Sequence, residues 1–308
     1  MQAIRIHAFG GPENLHMEEV PQPNPTPGEV LIRVAAAGIN PVDWKVRQNG
    51  GLNASLPWIP GWDVSGIVVE LGSDVTSYAP GDPVYGLVRF PQSGNAYAEY
   101  VAAPITEITR KPETIDSIQA AAVPLVALTA WQALFEKAEL ASGETIVIHA
   151  AAGGVGHIAV QLAKWRGATV IGTGSARNEA FLREIGVDQF VDYTAAPFET
   201  VVPKVDVVLN AVDRETAHRS LAVVKDGGRL VNVAGGPSDE VIAHYPNVRV
   251  IRHLVYPSGA QLDEISTLID AKKVKPVLQA TFPLAEARQG QELVAGGHVR
   301  GKVVLRVY

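Results

Sequence analysis

The sequence predicts an α/β chain: a doubly wound parallel sheet accompanied by a smaller β-rich region. Three observations carry that expectation. A β-branched run, a glycine turn and a helical pattern follow one another from Thr145; strand and helix patterns alternate after it; and the first hundred residues carry short strand patterns broken by Pro and Gly. At 308 residues the chain can bury a large core and is long enough for two domains.

Taken in order, residues 1–6 begin as a strand, and strand patterns recur at 30–34, 64–71 and 98–101. Turns rich in Pro and Gly at 25–28 and 79–82 separate them, as in a small irregular barrel or sandwich. From Ile115 the texture changes, and an Ala-rich stretch ending at Pro124 leads into a helical pattern over 126–136. Residues 145–149 read as a buried strand, 151–156 (AAGGVG) as a tight turn, and 158–165 as a helix with Ile158, Leu162 and Trp165 on one face. Further strands are expected at 168–171, 189–192, 205–209, 229–233 and 248–251, and a helix at 261–271. Strands at 277–282 and 302–307 should return to the N-terminal part.

The turn carries the first chemistry. Aligned on G-x-G-x-x-G, its three places are Ala151, Gly153 and Gly156. Gly153 lets backbone approach a pyrophosphate, Gly156 lets the helix pack tightly on its strand, and Gly154 and Val155 sit where free helix N–H groups meet an anion. The bland reading is a Gly/Ala-rich βα turn in some other α/β protein, but the strand before, the helix after and the second strand favour a dinucleotide site. An NAD site places an acid about 20 residues beyond the glycines. Residues 172–178 hold none; Ser175, Arg177 and Asn178 suit a 2′-phosphate instead, which predicts NADPH over NADH. The competing reading has Ser175 and Asn178 capping a helix over 179–185 and Arg177 as a solvated charge.

Composition excludes other classes. The net charge of −6, from 26 basic and 32 acidic residues with no basic run, argues against nucleic acid or an anionic membrane surface as partner. No apolar stretch reaches the roughly 18 residues of a membrane span, and the N-terminus reads as a strand rather than a signal peptide, so a cytoplasmic protein is expected. With no cysteine, disulfides and thiolate metal sites are impossible.

The stretches 36–45 (AAGINPVDWK), 59–66 (IPGWDVSG), 97–100 (YAEY), 128–131 (LTAW), 149–156, 191–193 (VDY) and 301–305 (GKVVL) together resemble the zinc-free quinone oxidoreductase branch of the medium-chain dehydrogenase/reductases, over essentially the whole length. Zinc-dependent relatives have Cys where this chain has Asn40 and Gly-His-Glu where it has Gly61-Trp62-Asp63, and both departures delete metal ligands. The resemblance implies a GroES-like substrate domain over 1–117 and 264–308 and a Rossmann domain over 118–263. It also implies that Asn40 lies near the nicotinamide ribose and substrate, that Thr129 contacts the carboxamide and Tyr193 the 2′-phosphate, and that Asn210 and Val212 line the ribose and nicotinamide. Relatives often carry Asp at position 210. Ala234 and Gly235 follow a strand end in the same manner, where open α/β sheets bind ligands.

The missing metal constrains the reaction. A simple ketone puts full alkoxide charge on one oxygen, whereas a quinone or an α,β-unsaturated carbonyl spreads it over a conjugated system, so hydrogen-bond donors suffice. Candidate donors are Asn40 and Lys45; Asp43 would orient its neighbours, and Trp44 and Trp62 could wall a flat acceptor. Each has a structural alternative: Asn40 satisfying its turn, Trp62 in the core, Lys45 solvated, Tyr193 packed on Phe198. His149 reads as a core histidine. The leading expectation is an NADPH-dependent, metal-free reductase of quinones or enones. The rivals are an NADPH-binding redox sensor or structural protein with little turnover, and a reductase of thioester-linked enoyl groups. The segment 248–256 reads as a long strand placed last in the sheet, where an uncovered edge would be a liability; relatives in the branch it resembles often pair this edge, so a homodimer is expected. Loops 47–56 and 88–96 would shape the pocket.

Overall fold

The computed structural model describes residues 1–52 and 54–308; Asn53, in the pocket loop expected at 47–56, lies outside the described residues. In chain order the elements are β1 (Gln2–Arg5), β2 (His16–Glu19), β3 (Glu29–Ile39), α1 (Pro41–Asn49), β4 (Asp63–Leu71), β5 (Pro83–Leu87), β6 (Tyr100–Pro104), β7 (Ile108–Arg110), α2 (Ser117–Ala121) and α3 (Pro124–Trp131). They continue with β8 (Thr145–Ile148), α4 (Gly154–Arg166), β9 (Thr169–Gly174), α5 (Glu179–Glu184), β10 (Gln189–Asp192), β11 (Val205–Asn210), α6 (Arg214–Ser220), β12 (Val224–Asn232), α7 (Asp239–Ile242), β13 (Arg249–Arg252), α8 (Gly259–Asp270), β14 (Leu278–Pro283), α9 (Ala287–Ala295) and β15 (Lys302–Arg306). They divide into two compact units, one of Met1–Leu128, Tyr256–Lys272 and Pro276–Tyr308, the other of Thr129–Val255 and Lys273–Lys275.

The first unit is built on a sheet in the order β14-β15-β3-β4-β5-β7, with β6 also paired to β3. Its pairs are antiparallel except β14 with β15. Strand β3 is eleven residues long and all but Glu29 and Arg33 are buried, because Val30, Ile32, Val34 and Ile39 join Val64, Val68, Val84 and Leu305 in one apolar core. The C-terminal strand β15 pairs with β3, Val303 opposite Ile39 and Leu305 opposite Ala37.

The second unit holds six parallel strands in the order β10-β9-β8-β11-β12-β13. Counted within the unit this is 3-2-1-4-5-6, the doubly wound Rossmann order, in which the strand order reverses beside β8. Strands covered on both faces read as continuous apolar runs, as in Ile146-Val147-Ile148, all fully buried.

Several elements differ from the sequence reading. Helix α1 was not expected; Val42, Trp44 and Val46 alternate with polar residues as in a strand, yet Asp43, Val46 and Arg47 are the side chains that face inward. The helix expected over 126–136 is an α-helix to Trp131 that widens into a π-helical turn at Gln132–Lys137. The long strand expected over 248–256 is only the four residues of β13; past Arg252 the chain leaves the sheet, with Leu254 58% exposed.

Candidate active site

In the second unit the expected nucleotide turn is formed as its residues require. Gly153 is the N-cap of α4, and Gly154 and Val155 open its first turn, half-buried, where backbone N–H groups lack intrahelical partners. A Cβ on Gly156 would lie 2.2 Å from the Ala150 carbonyl oxygen and 2.7 Å from the Ala151 Cα, so only glycine allows α4 to approach the end of β8 this closely. The register sets Asp192 opposite Gly174, which brings the residues after β9 beside those after β10, and the Tyr193 N–H donates to the Gly174 carbonyl at 3.3 Å. Ser175, Arg177 and Tyr193 thus gather at adjacent strand ends, Arg177 exposed and Tyr193 53% exposed. Neither Ser175 nor Asn178 makes the side-chain N-cap bond of the competing reading. The nearby Asp192 carboxylate accepts the Thr194 hydroxyl at 2.7 Å and its N–H at 2.9 Å, bonds that hold it below the ordinary carboxylate range.

Asn210, fully buried at the end of β11, ties two loops together. Its Nδ2 donates to the carbonyls of Asp213 at 2.8 Å and Gly235 at 3.0 Å and lies 3.2 Å from Asn232 Oδ1, while its Oδ1 accepts the Val212 N–H at 3.2 Å. The segments carrying Val212 and Ala234-Gly235 are therefore fixed by one amide. A cleft of about 320 Å³ opens there, lined by Asn232, Val233, Ala234, Gly235, Arg252 and His253. Thr129, 5% exposed, lies on α3. His149 is a core residue: burial pushes its pKa down to about 4, and its ring nitrogens face the hydroxyls of Thr173 and Ser220 at 3.1 and 3.0 Å.

In the first unit the turn after β3 becomes a buried polar cluster. Asn40 is the N-cap of α1 with Pro41 behind it. Its N–H donates to Asp43 Oδ2 at 2.7 Å, and Tyr97 donates its hydroxyl to the same oxygen at 2.8 Å. The Asn40 side chain donates from Nδ2 to Asp63 Oδ2 at 2.8 Å. Lys302, from β15, places its ammonium against Asn40 Oδ1, the Ile39 carbonyl at 2.9 Å and Asp63 Oδ2 at 3.3 Å. The other Asp63 oxygen accepts the Leu125 N–H at 2.7 Å. A Cβ on Gly38 would meet Asp63 Oδ2 at 2.8 Å, which is how β3 admits that side chain. Burial pushes the Asp43 carboxyl up to about 7, opposed by its bonds from Asn40 and Tyr97, and its Oδ1 has no partner among the described residues. Burial likewise raises Asp63, opposed first by the Lys302 charge.

Other expected site residues are placed apart from this cluster. Lys45 lies on the solvent face of α1 with Pro41 and Gln48, its ammonium 5.6 Å from the Trp44 ring centroid, in keeping with the solvated reading. Trp62 is 1% exposed, packed on Trp58 and Phe90 at 5.6 and 5.3 Å between ring centroids, with its indole N–H given to the Gln92 carbonyl. Trp44 is half-buried. Sequence reasoning passed over Asp63, Tyr97 and Lys302 as site residues although all three stand in the stretches that carry the family resemblance.

Residues 26–113 match the alcohol dehydrogenase GroES-like domain family and residues 185–305 the zinc-binding dehydrogenase family. The chain is 33% identical, over 99% of its length and 79% of the relative's, to an Arabidopsis thaliana NADPH-dependent alkenal/one oxidoreductase. The quinone oxidoreductase of Coxiella burnetii superposes with a TM-score of 0.94 at 38% identity, covering 100% of this chain and 99% of that one. It is a medium-chain dehydrogenase/reductase of the quinone oxidoreductase branch. The Escherichia coli quinone oxidoreductase, solved as a complex with NADPH, is similar at a TM-score of 0.90 and 29% identity, with both chains fully covered.

The residues of this branch member fit a phosphorylated nicotinamide nucleotide on the chain's own geometry. The close approach that Gly156 allows sets the first turn of α4 at the end of β8, where its N–H groups can meet a pyrophosphate, and Arg177 and Tyr193 stand where β9 and β10 end. A metal does not fit the first unit's cluster. The Lys302 ammonium already stands among Ile39, Asn40 and Asp63, and among the described residues no three His, Cys, Asp or Glu side chains group as ligands.

Proposed function

We propose that the chain is an NADPH-dependent oxidoreductase that reduces quinones or α,β-unsaturated carbonyls without metal assistance. The observation that carries this reading is the pairing of the Gly156 turn with Ser175, Arg177 and Tyr193 at neighbouring strand ends, joined to the names of the relatives described above. NADPH, when bound, supplies hydride from its nicotinamide. Gly153, Gly154, Val155 and Gly156 hold the pyrophosphate, and Ser175, Arg177 and Tyr193 hold the 2′-phosphate with charge-assisted bonds. Asn210 keeps the loops of Val212 and Gly235 in place beneath the ribose and nicotinamide, with Thr129 at the carboxamide. On the acceptor side the remaining Asn40 N–H serves as donor to the developing oxyanion, and a conjugated acceptor, which delocalises that charge, needs no stronger electrophile. Asp43 orients Asn40 through its backbone N–H. The substrate region is assigned to residues 1–117 and 264–308 and the cofactor region to 118–263.

The same proposal includes a homodimer and a cytoplasmic site of action; among the described residues no helix is long and apolar enough to cross a membrane. The direct test is NADPH oxidation with a panel of quinones and enones, followed by loss of NADPH absorbance. Turnover of at least one acceptor is expected, and tight NADPH binding with no acceptor consumed would favour a sensor instead. Arg177→Ala should weaken NADPH by about tenfold and leave NADH unchanged; an equal effect on both nucleotides would remove Arg177 from the phosphate site.

A further inference from the structure

The geometry points to Lys302 as the positioning residue that sets the Asn40 carboxamide for acceptor reduction; the inference rests on the function proposed above. An amide can be turned either way round, and its two ends differ chemically: oxygen only accepts and nitrogen only donates. The Lys302 ammonium carries hydrogens alone, so the Asn40 end facing it must be Oδ1. That choice sends Nδ2 toward Asp63 Oδ2, where one hydrogen is given at 2.8 Å and the second remains. Asp63 accepts from Asn40 and Lys302 on the same oxygen and is anchored on its other oxygen by the Leu125 N–H. Lys302 is anchored in turn by the Ile39 carbonyl and is 3% exposed. Four groups on β3, β4, β15 and the start of α3 therefore leave the Asn40 amide one orientation, with its spare N–H defined.

A neutral residue at 302 removes that constraint. A glutamine can present oxygen as well as nitrogen to Asn40, and burial without the Lys302 charge favours a protonated Asp63, which donates as well as accepts, so the amide can rotate and withdraw its donor. Lys302→Gln also leaves Asp63 buried without its counter-charge, which endangers folding. The double variant Lys302→Gln, Asp63→Asn removes both charges together and carries the measurement if the single variant does not fold. Lys302→Arg keeps the charge and remains purely a donor.

The wild type and these three variants should be compared for kcat and KM with one quinone, for NADPH affinity by fluorescence titration, and for melting temperature. Folded glutamine variants are expected to lose kcat by about tenfold to a hundredfold, as when a donor to a developing oxyanion is misplaced. NADPH affinity should stay within about twofold, and Lys302→Arg should recover most of the rate. A kcat within about twofold of wild type in the glutamine variants overturns the inference. So does a parallel loss of kcat, NADPH affinity and melting temperature that arginine does not restore, which would make Lys302 a folding residue. A wild type that leaves NADPH unoxidised with every quinone and enone tested overturns the proposed function as well as this role.

Discussion

A carboxylate at position 210 could not do what Asn210 does here. Its Nδ2 supplies the hydrogens that satisfy the carbonyls of Asp213 and Gly235, whereas an ionised aspartate only accepts. Asn210→Asp should leave these two part-buried carbonyls without that donor, at about 1 kcal/mol each, and loosen both loops. A lowered denaturant midpoint together with about tenfold weaker NADPH binding is expected; wild-type values for both would show that the loops hold without this amide. Asp43 yields a second prediction, in pH. Its carboxyl is raised by burial from 3.8 to about 7, so between those values the folded chain binds a proton that the unfolded chain has lost. Stability must then fall as pH rises through that window, by up to about 4 kcal/mol. In thermal melts from pH 4 to 8, Asp43→Asn should lack this part of the decline, since an amide keeps an acceptor for Asn40 and Tyr97 without a charge. Parallel profiles for the two proteins would show that Asp43 is ionised throughout.

At the scale of elements, the βαβ unit was the most legible part of the chain, because each of its residues answers a local demand. Gly156 is the clearest case. Gly156→Ala forces a Cβ to within 2.2 Å of the Ala150 oxygen, so α4 must lift from β8. The expected result is at least about tenfold weaker NADPH binding with a lower melting temperature; unchanged binding would mean that the nucleotide does not use this turn. The strands of the second unit were equally readable, since strands covered on both faces are written as unbroken apolar runs. Helix α1 was hidden because its signal is split. Val42, Trp44 and Val46 alternate like a strand, and the stop at Gly50 and the cap formed by Asn40, Pro41 and Asp43 are the only helical marks. The extent of β13 was overread for a related reason: an apolar stretch reads as strand whether or not a neighbour pairs with it, and β12 offers partners only as far as Asn232, opposite Arg252.

Across the whole molecule, what the sequence could not reveal is what the fold brings from far away. Lys302 and Asn40 are 262 residues apart and meet because β15 returns to pair with β3. No spacing rule reaches that distance, whereas Lys45 follows Asn40 closely in the sequence. Trp62, similarly, looked suited to a flat acceptor, while its neighbours Trp58 and Phe90 enclose it. The sheet of the second unit ends on β13, whose outer edge no strand among the described residues covers. Such an edge is an adhesive surface, and the homodimer proposed above would bury it; light scattering at micromolar concentration should give twice the chain mass of 32.8 kDa, and a single-chain mass would contradict it.

The central claim is that this chain holds NADPH through its 2′-phosphate and passes reducing equivalents to a conjugated acceptor. Its most direct test is a paired titration of the purified protein with NADPH and NADH, followed by addition of a quinone or enone to the NADPH complex. The account predicts at least about tenfold tighter binding of NADPH and its oxidation once acceptor is present. Equal or stronger binding of NADH, or retention of neither nucleotide, would contradict it.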